Sequence, residues 1–207
     1  MDELTEFNKS TIEMLRQPLE DKQVNIARAT GSFTYPADFV LVAAMNPCSC
    51  GYYPDLNRCH CTRQSIMRYL SKISQPLLDR IDICVEAPTL NFNQISKRDN
   101  NESSDSIRKR VIAAHEIQRN RYREYGFLFN SQIPSNLIDK FCSLSDENTA
   151  YMEGMYNKYS LTARTYHKVL RVARTLADME ESEEIKLIHL QEAILYRGLD
   201  KKYWEEG

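Results

Sequence analysis

Apolar residues change their period along this chain, and each change predicts an element. Ile12, Leu15 and Leu19 recur at helical spacing behind Asn8 and Ser10, either of which suits an N-cap, and Pro18 limits the regular helix. One short helix over about 8–20 is predicted. Val24-Asn-Ile-Ala-Arg-Ala29 and Ser32-Phe-Thr-Tyr35 then alternate or carry β-branched residues on either side of Ala29-Thr30-Gly31. That is the pattern of a hairpin with a flexible residue at its tip and Arg28 beside it. Phe39 to Met45 is continuously apolar and Ile81 to Ala87 nearly so; such runs predict strands covered on both faces, as in a parallel sheet. A helix over about Thr62–Ile73 is predicted between them.

Periodicity stops at Asn91 to Ser106, NFNQISKRDNNESSDS, which reads as a linker or exposed loop and as a domain boundary. Beyond it every pattern is helical: about 107–125, 135–143, 146–158, 162–180 and 187–197, with Pro134, Asp146, Thr162 and Gly198 as start or stop signals. In the helix from Thr162, the residues Ala163, Tyr166, Val169, Leu170, Ala173 and Leu176 define a core face and leave Arg164, Lys168 and Arg171 on one stripe. The later run Asp178, Glu180, Glu181, Glu183, Glu184 reads as solvated helix end and loop. The fold class is therefore α/β plus α: an α/β part over 1–90, a linker over 91–106 and an all-helical domain over 107–207.

Composition narrows the function classes. The 207 residues are 42% hydrophobic and 27% charged with a net charge of −2, which excludes a globally basic nucleic-acid coat and leaves only local basic faces. The apolar run Phe39–Met45 is far too short to span a bilayer, and MDELTEF has neither a basic n-region nor an apolar h-region. No membrane partner is expected, and the cytoplasm is the expected compartment.

Four of the six cysteines form two close pairs, Cys48-Ser-Cys50 and Cys59-His-Cys61, around the turn formers Gly51 and Pro54. Four thiolates on a bent loop suit a tetrahedral ion. The spacing is not the usual Cys-x-x-Cys knuckle, so reduced surface thiols or a redox pair remain alternatives, with His60 a substitute ligand or a bystander. Cys84 and Cys142 stand alone in apolar surroundings and read as core thiols. Asn46 ends an apolar strand, the edge where open α/β sheets bind ligands, although an Asn before Pro is also an ordinary loop starter. Asp79, Arg80 and Asp82 flank the second apolar run, where an arginine serves either an internal ion pair or a phosphate. No Gly-x-x-x-x-Gly-Lys-Ser/Thr occurs, so the sequence holds no Walker A loop.

Taken in order, Asp2-Glu3, Arg16-Gln-Pro-Leu-Glu-Asp21, Ala43-Ala-Met-Asn-Pro-Cys-Ser-Cys-Gly51, Cys59-His-Cys61, Pro76-Leu-Leu-Asp-Arg-Ile-Asp82 and Thr162-Ala-Arg-Thr-Tyr-His-Lys-Val-Leu-Arg-Val-Ala-Arg174 resemble the ComM/YifB-type magnesium-chelatase-like AAA+ ATPases. The resemblance runs nearly end to end and departs at the start, where Met1 stands at the last apolar position of the Walker B strand. It implies a truncated AAA+ core followed by a helical lid. It implies that Asp2 holds magnesium, Glu3 is the catalytic base, Asn46 is sensor 1, Arg80 is an arginine finger reaching a neighbouring subunit and Arg164 is sensor 2. It implies that the hairpin lines the channel of a homo-hexamer, with Arg28 contacting DNA. ATP and Mg2+ are the implied cofactors of the parent, with Zn2+ expected at Cys48, Cys50, Cys59 and Cys61. The implied parent is a DNA motor of branch migration, recombination and competence, acting on single-stranded or branched DNA, while the chain alone is expected to be inactive. A chelatase-type or protein-remodelling subunit, or a zinc-stabilised binding or oligomerisation module, are the alternatives.

Overall fold

Hydroxyl side chains start the regular helices. Thr62, Ser74, Ser103, Ser145 and Thr162 each accept the backbone N–H three residues on, satisfying donors that the first turn leaves orphaned. The computed structural model describes residues 1–88, 92, 102–200 and 203–204. The chain divides into two units, 1–81 with 200–207, and 82–199.

In the first unit, α1 (Lys9–Met14) and α2 (Arg16–Asp21) replace the single helix predicted over 8–20. The break falls at Leu15 because Pro18 has no N–H to give the Met14 carbonyl. Strands β1 (Gln23–Arg28) and β2 (Gly31–Pro36) form the expected hairpin, with Val24 opposite Tyr35, Ile26 opposite Phe33 and Arg28 opposite Gly31. Gly31 takes φ +146°, which a side chain would resist. Helix α3 (Arg63–Leu70) and the single turn α4 (Gln75–Leu78) follow.

Two expected strands are not formed. Residues 39–45 are extended, yet Val40 is 89% exposed and Val42 73%, so the run is not covered on both faces. Its described hydrogen bonds go to the first residues of the chain: the Met1 amine donates to Val42 O (2.6 Å), Ala44 N to Met1 O (2.9 Å) and Leu4 N to Ala44 O (2.9 Å). Residues 81–87 are likewise irregular, with Ile83 and Val85 exposed. An apolar run favours extended backbone, but burying both faces requires flanking strands. Among the described residues the hairpin is the only sheet.

Two apolar clusters hold this unit together. Leu4, Ile12, Ile73, Leu77 and Leu78 form one, and Cys48, Cys59, Ile66 and Leu70 form the other. Met45 and Trp204 pack against both, and the Trp204 indole N–H donates to Leu70 O at 3.1 Å.

The second unit contains α5 (Ser104–Arg121), a 3-10 turn at Ser135–Leu137 leading into α6 (Ile138–Phe141), then α7 (Asp146–Lys158), α8 (Ala163–Met179) and α9 (Leu187–Asp200). The helix expected over 135–143 is thus a 3-10 turn and one α-turn. Ser104 to Ser106 of the expected linker already belong to α5, while residues 89–91 and 93–101 lie outside the described residues. Val169, Leu170 and Ala173 face the core as expected, joined by Ala177, whereas Ala163, on the first turn, is exposed. Asp178 corrects the reading of a solvated acidic run: it is completely buried, as is nearly all of Arg174. The two continue the core face of α8 by one turn and find charged partners there.

Candidate functional site

The cysteine loop is built by turns. Gly51 N donates to Cys48 O, and Asp55 O accepts from both Arg58 N and Cys59 N, while Gly51 adopts φ +81°. Its folding carries the two pairs together. Cys48 Sγ lies 3.3 Å from Cys50 and 3.8 Å from Cys59, Cys50 lies 3.6 Å from Cys59, and all four sulfurs lie within 4.8 Å of one another. A tetrahedral ion with metal–sulfur bonds of about 2.3 Å requires sulfurs about 3.8 Å apart, so this donor set could hold a metal ion. His60 is exposed and is not one of the clustered donors.

The thiols differ in acidity. Burial opposes ionisation of Cys48, but the N–H of Tyr53 and hydrogen bonding from Cys50 and Cys59 outweigh it and bring the thiol down to about 6. At Cys59 the N–H of Cys61 favours the thiolate, while burial and the adjacent Cys50 and Cys48 push it up to about 12. The Ser49 hydroxyl, 3.5 Å away, lowers Cys61. Cys142 is the expected core thiol, 2% exposed and pushed up to about 11 by burial; Cys84 is half-buried.

Asn46 is exposed at the end of the extended segment and adjoins the cysteine loop, since a Cβ on Gly51 would stand 3.8 Å from its Oδ1. Asp2 and Glu3 are exposed where the first residues run beside Val42–Ala44. Asp2 Oδ1 accepts from Glu3 N at 3.0 Å, and Glu3 takes a left-handed φ of +49°. Arg80 folds back over α4, donating from NH1 to Pro76 O at 2.5 Å and pairing through NH2 with Glu20 of α2. Arg28 is exposed at the hairpin tip.

In the second unit Arg164 is exposed on the first turn of α8. Its expected stripe divides: Lys168 pairs with Asp82 at 2.8 Å, and Arg171 gives Nε and NH2 to Ile133 O at 3.1 and 2.6 Å. Two features had no expectation behind them. One is Glu20 as the partner of Arg80, sixty positions away. The other is the buried group formed by Arg121, Asn130, Arg174 and Asp178. The i, i+4 spacing of Arg174 and Asp178 on the core face was a signal for part of it.

Residues 1–95 match the family described as magnesium chelatase, subunit ChlI, and residues 101–197 match its ChlI C-terminal family. The class is thus the magnesium-chelatase-like proteins. Within it the chain is 39% identical to YifB of Salmonella typhimurium over 202 residues, 97% of this chain and 39% of the relative. It is 40% identical to YifB of Escherichia coli over the same number of residues. It is 38% identical over 200 residues to the competence protein ComM of Haemophilus influenzae, 96% of this chain and 38% of that protein. The chain belongs to the magnesium-chelatase-like family of the ComM/YifB type, and spans about two-fifths of the length of these curated relatives. No helix among the described residues is long and apolar enough to cross a membrane.

Proposed function

We propose that these residues form the nucleotide-sensing part and lid of an ATP-driven, hexameric AAA+ motor that acts on DNA in the cytoplasm. The observation that carries the reading is the pairing of the chain's first residues with Val42–Ala44, which sets Asp2 and Glu3 on a segment neighbouring the one that ends in Asn46. Nucleotide hydrolysis needs that grouping: carboxylates for magnesium and for the attacking water, with an amide at the same edge to orient the water or the γ-phosphate. Asp2 would hold a hydrated magnesium ion, Glu3 would act as base, Asn46 would be sensor 1, and Arg80 would serve a neighbouring subunit. Arg164 would be sensor 2, on a lid that follows a core at 1–90 and a linker at 91–106; of the residues 107–207 expected to form it, Trp204 instead packs in the first unit. Similarity to a competence protein supports DNA as the substrate, with Arg28 as a contact. Family membership and the accessibility of the two carboxylates support magnesium-dependent ATP binding by the longer protein.

The four thiols support a structural Zn2+ that steadies the loop beside Asn46, a closed site with no position for a reacting water. That cluster also favours a second reading, in which these 207 residues act alone as a zinc-stabilised binding or oligomerisation module. By themselves they lack a Walker A loop and are expected to release no phosphate from ATP.

ATP turnover by the longer protein carrying these residues, with single-stranded, duplex and branched DNA, tests the proposal. Turnover stimulated by single-stranded or branched DNA is expected. Turnover indifferent to all three, but raised by a protein or tetrapyrrole substrate, would assign the chain to a remodelling or chelatase subunit.

A further inference from the structure

The arginine proposed to act on a neighbour is engaged by its own chain. Arg80 NH1 donates to Pro76 O and NH2 pairs with the Glu20 carboxylate, leaving the Arg80 side chain 16% exposed. The pair closes one side of an open groove lined by Glu13, Arg16, Gln17, Glu20, Asp21 and Arg80. This held state is only partly satisfied. Arg80 Nε and Arg16 Nε are both buried there without a hydrogen-bond partner, and native interiors rarely leave such groups unpaired. An arginine fixed for structure alone would be expected to place its Nε–H on an acceptor as well.

We propose that Glu20 is a latch for Arg80: it holds the guanidinium against its own subunit until a phosphate presented by another molecule displaces the carboxylate. A phosphate offers three acceptor oxygens and more charge than a carboxylate, so it competes well for the same guanidinium edge. The latch is weak enough to open, because an ion pair with a partner as exposed as Glu20, at 38%, biases held against freed states by roughly fivefold or less. Glu20 is thus a positioning residue that acts through Arg80. The purpose of the latch rests on the reading of Arg80 as a residue serving a neighbour; its existence does not.

The test uses the 207-residue chain and an arginine-specific dicarbonyl reagent, with modification at each site followed by mass spectrometry. Glu20→Gln and Glu20→Ala should raise the rate at Arg80 by about twofold to fivefold while leaving Arg108, on the other unit, unchanged. Asp21→Asn, which alters a neighbouring lining residue, should leave Arg80 at its original rate. Arg80 reacting at the original rate in Glu20→Gln, with thermal unfolding unaltered, overturns the latch. If Glu20→Ala unfolds the unit, all its arginines will react faster together, and the isosteric Glu20→Gln decides. Separately, an Arg80→Ala protein that still hydrolyses ATP in its longer form would remove the neighbour-directed role and leave the latch standing.

Discussion

Arg121 meets Asp178 through two parallel contacts, NH1 to Oδ2 at 2.9 Å and NH2 to Oδ1 at 2.5 Å, although 57 residues separate them. The carboxylate is completely buried and also accepts from Arg174 Nε at 3.1 Å and Asn130 Nδ2 at 2.8 Å. Arg174 in turn reaches Glu183 O and Ser182 O, so one carboxylate ties α5 and α8 to the turn that follows. Burial disfavours the Arg121 charge, but the bonds to Asp178 and Tyr122 more than offset this and its pKa is raised.

Removing that carboxylate leaves two partly or fully buried guanidinium groups without their counter-ion. Asp178→Ala should therefore destabilise the helical unit by about 3–5 kcal/mol, read from urea denaturation followed by circular dichroism. Asp178→Asn, which keeps some of the hydrogen bonds, should cost less. Equal stability of Asp178→Ala and the unaltered protein would mean that the charges are solvated and contribute little.

The cysteine loop should carry about one zinc ion per chain, because four clustered thiolates make a closed tetrahedral set. Replacing any one of Cys48, Cys50, Cys59 or Cys61 with Ser should lower metal content and the melting temperature together, whereas Cys84→Ser or Cys142→Ser should leave the metal in place. Elemental analysis of protein purified without chelators is the check. Clearly sub-stoichiometric zinc, with all four thiols freely alkylated under native conditions, would mark a reduced or redox-active loop.

If the proposed DNA contact is right, Arg28→Ala in the longer protein should weaken DNA binding across sequences and reduce the salt slope by about one, as expected for one lost phosphate contact. Basal ATP turnover should change little. Fluorescence anisotropy over a range of salt concentrations measures both affinity and slope; an unaltered slope takes Arg28 out of the DNA path.

Local signals were readable in the sequence wherever the chain supplies its own partners. The hairpin, the start at Thr162 and the core positions Val169, Leu170 and Ala173 all follow from short-range pattern, and so does the gathering of four cysteines on a bent loop; the cap before Asp146 is Ser145, one residue earlier than the sequence signal. Residues 39–45 mislead because an apolar run specifies extended backbone and a need for cover, whereas the cover depends on neighbouring strands. Asp178 misleads differently: composition places it in an acidic run, but helical phase places it on the core face beside Arg174. Glu20 and Arg80 leave no local trace, because sixty residues of fold intervene. At the candidate site the residues, and the place of Asn46 just before Cys48, were legible in the sequence, whereas the pairing of Met1 and Leu4 with Val42–Ala44 was not, because it joins segments some forty residues apart.

ATP hydrolysis by Asn46→Ala in the longer protein, with nucleotide affinity measured alongside, tests the central claim most directly. If Asn46 orients the attacking water or the γ-phosphate, turnover falls about a hundredfold or more while ATP affinity is nearly unchanged, since loss of one such donor acts mainly on the transition state. Turnover within about twofold of the unaltered protein would contradict the account and leave Asn46 as a loop starter beside the cysteine cluster.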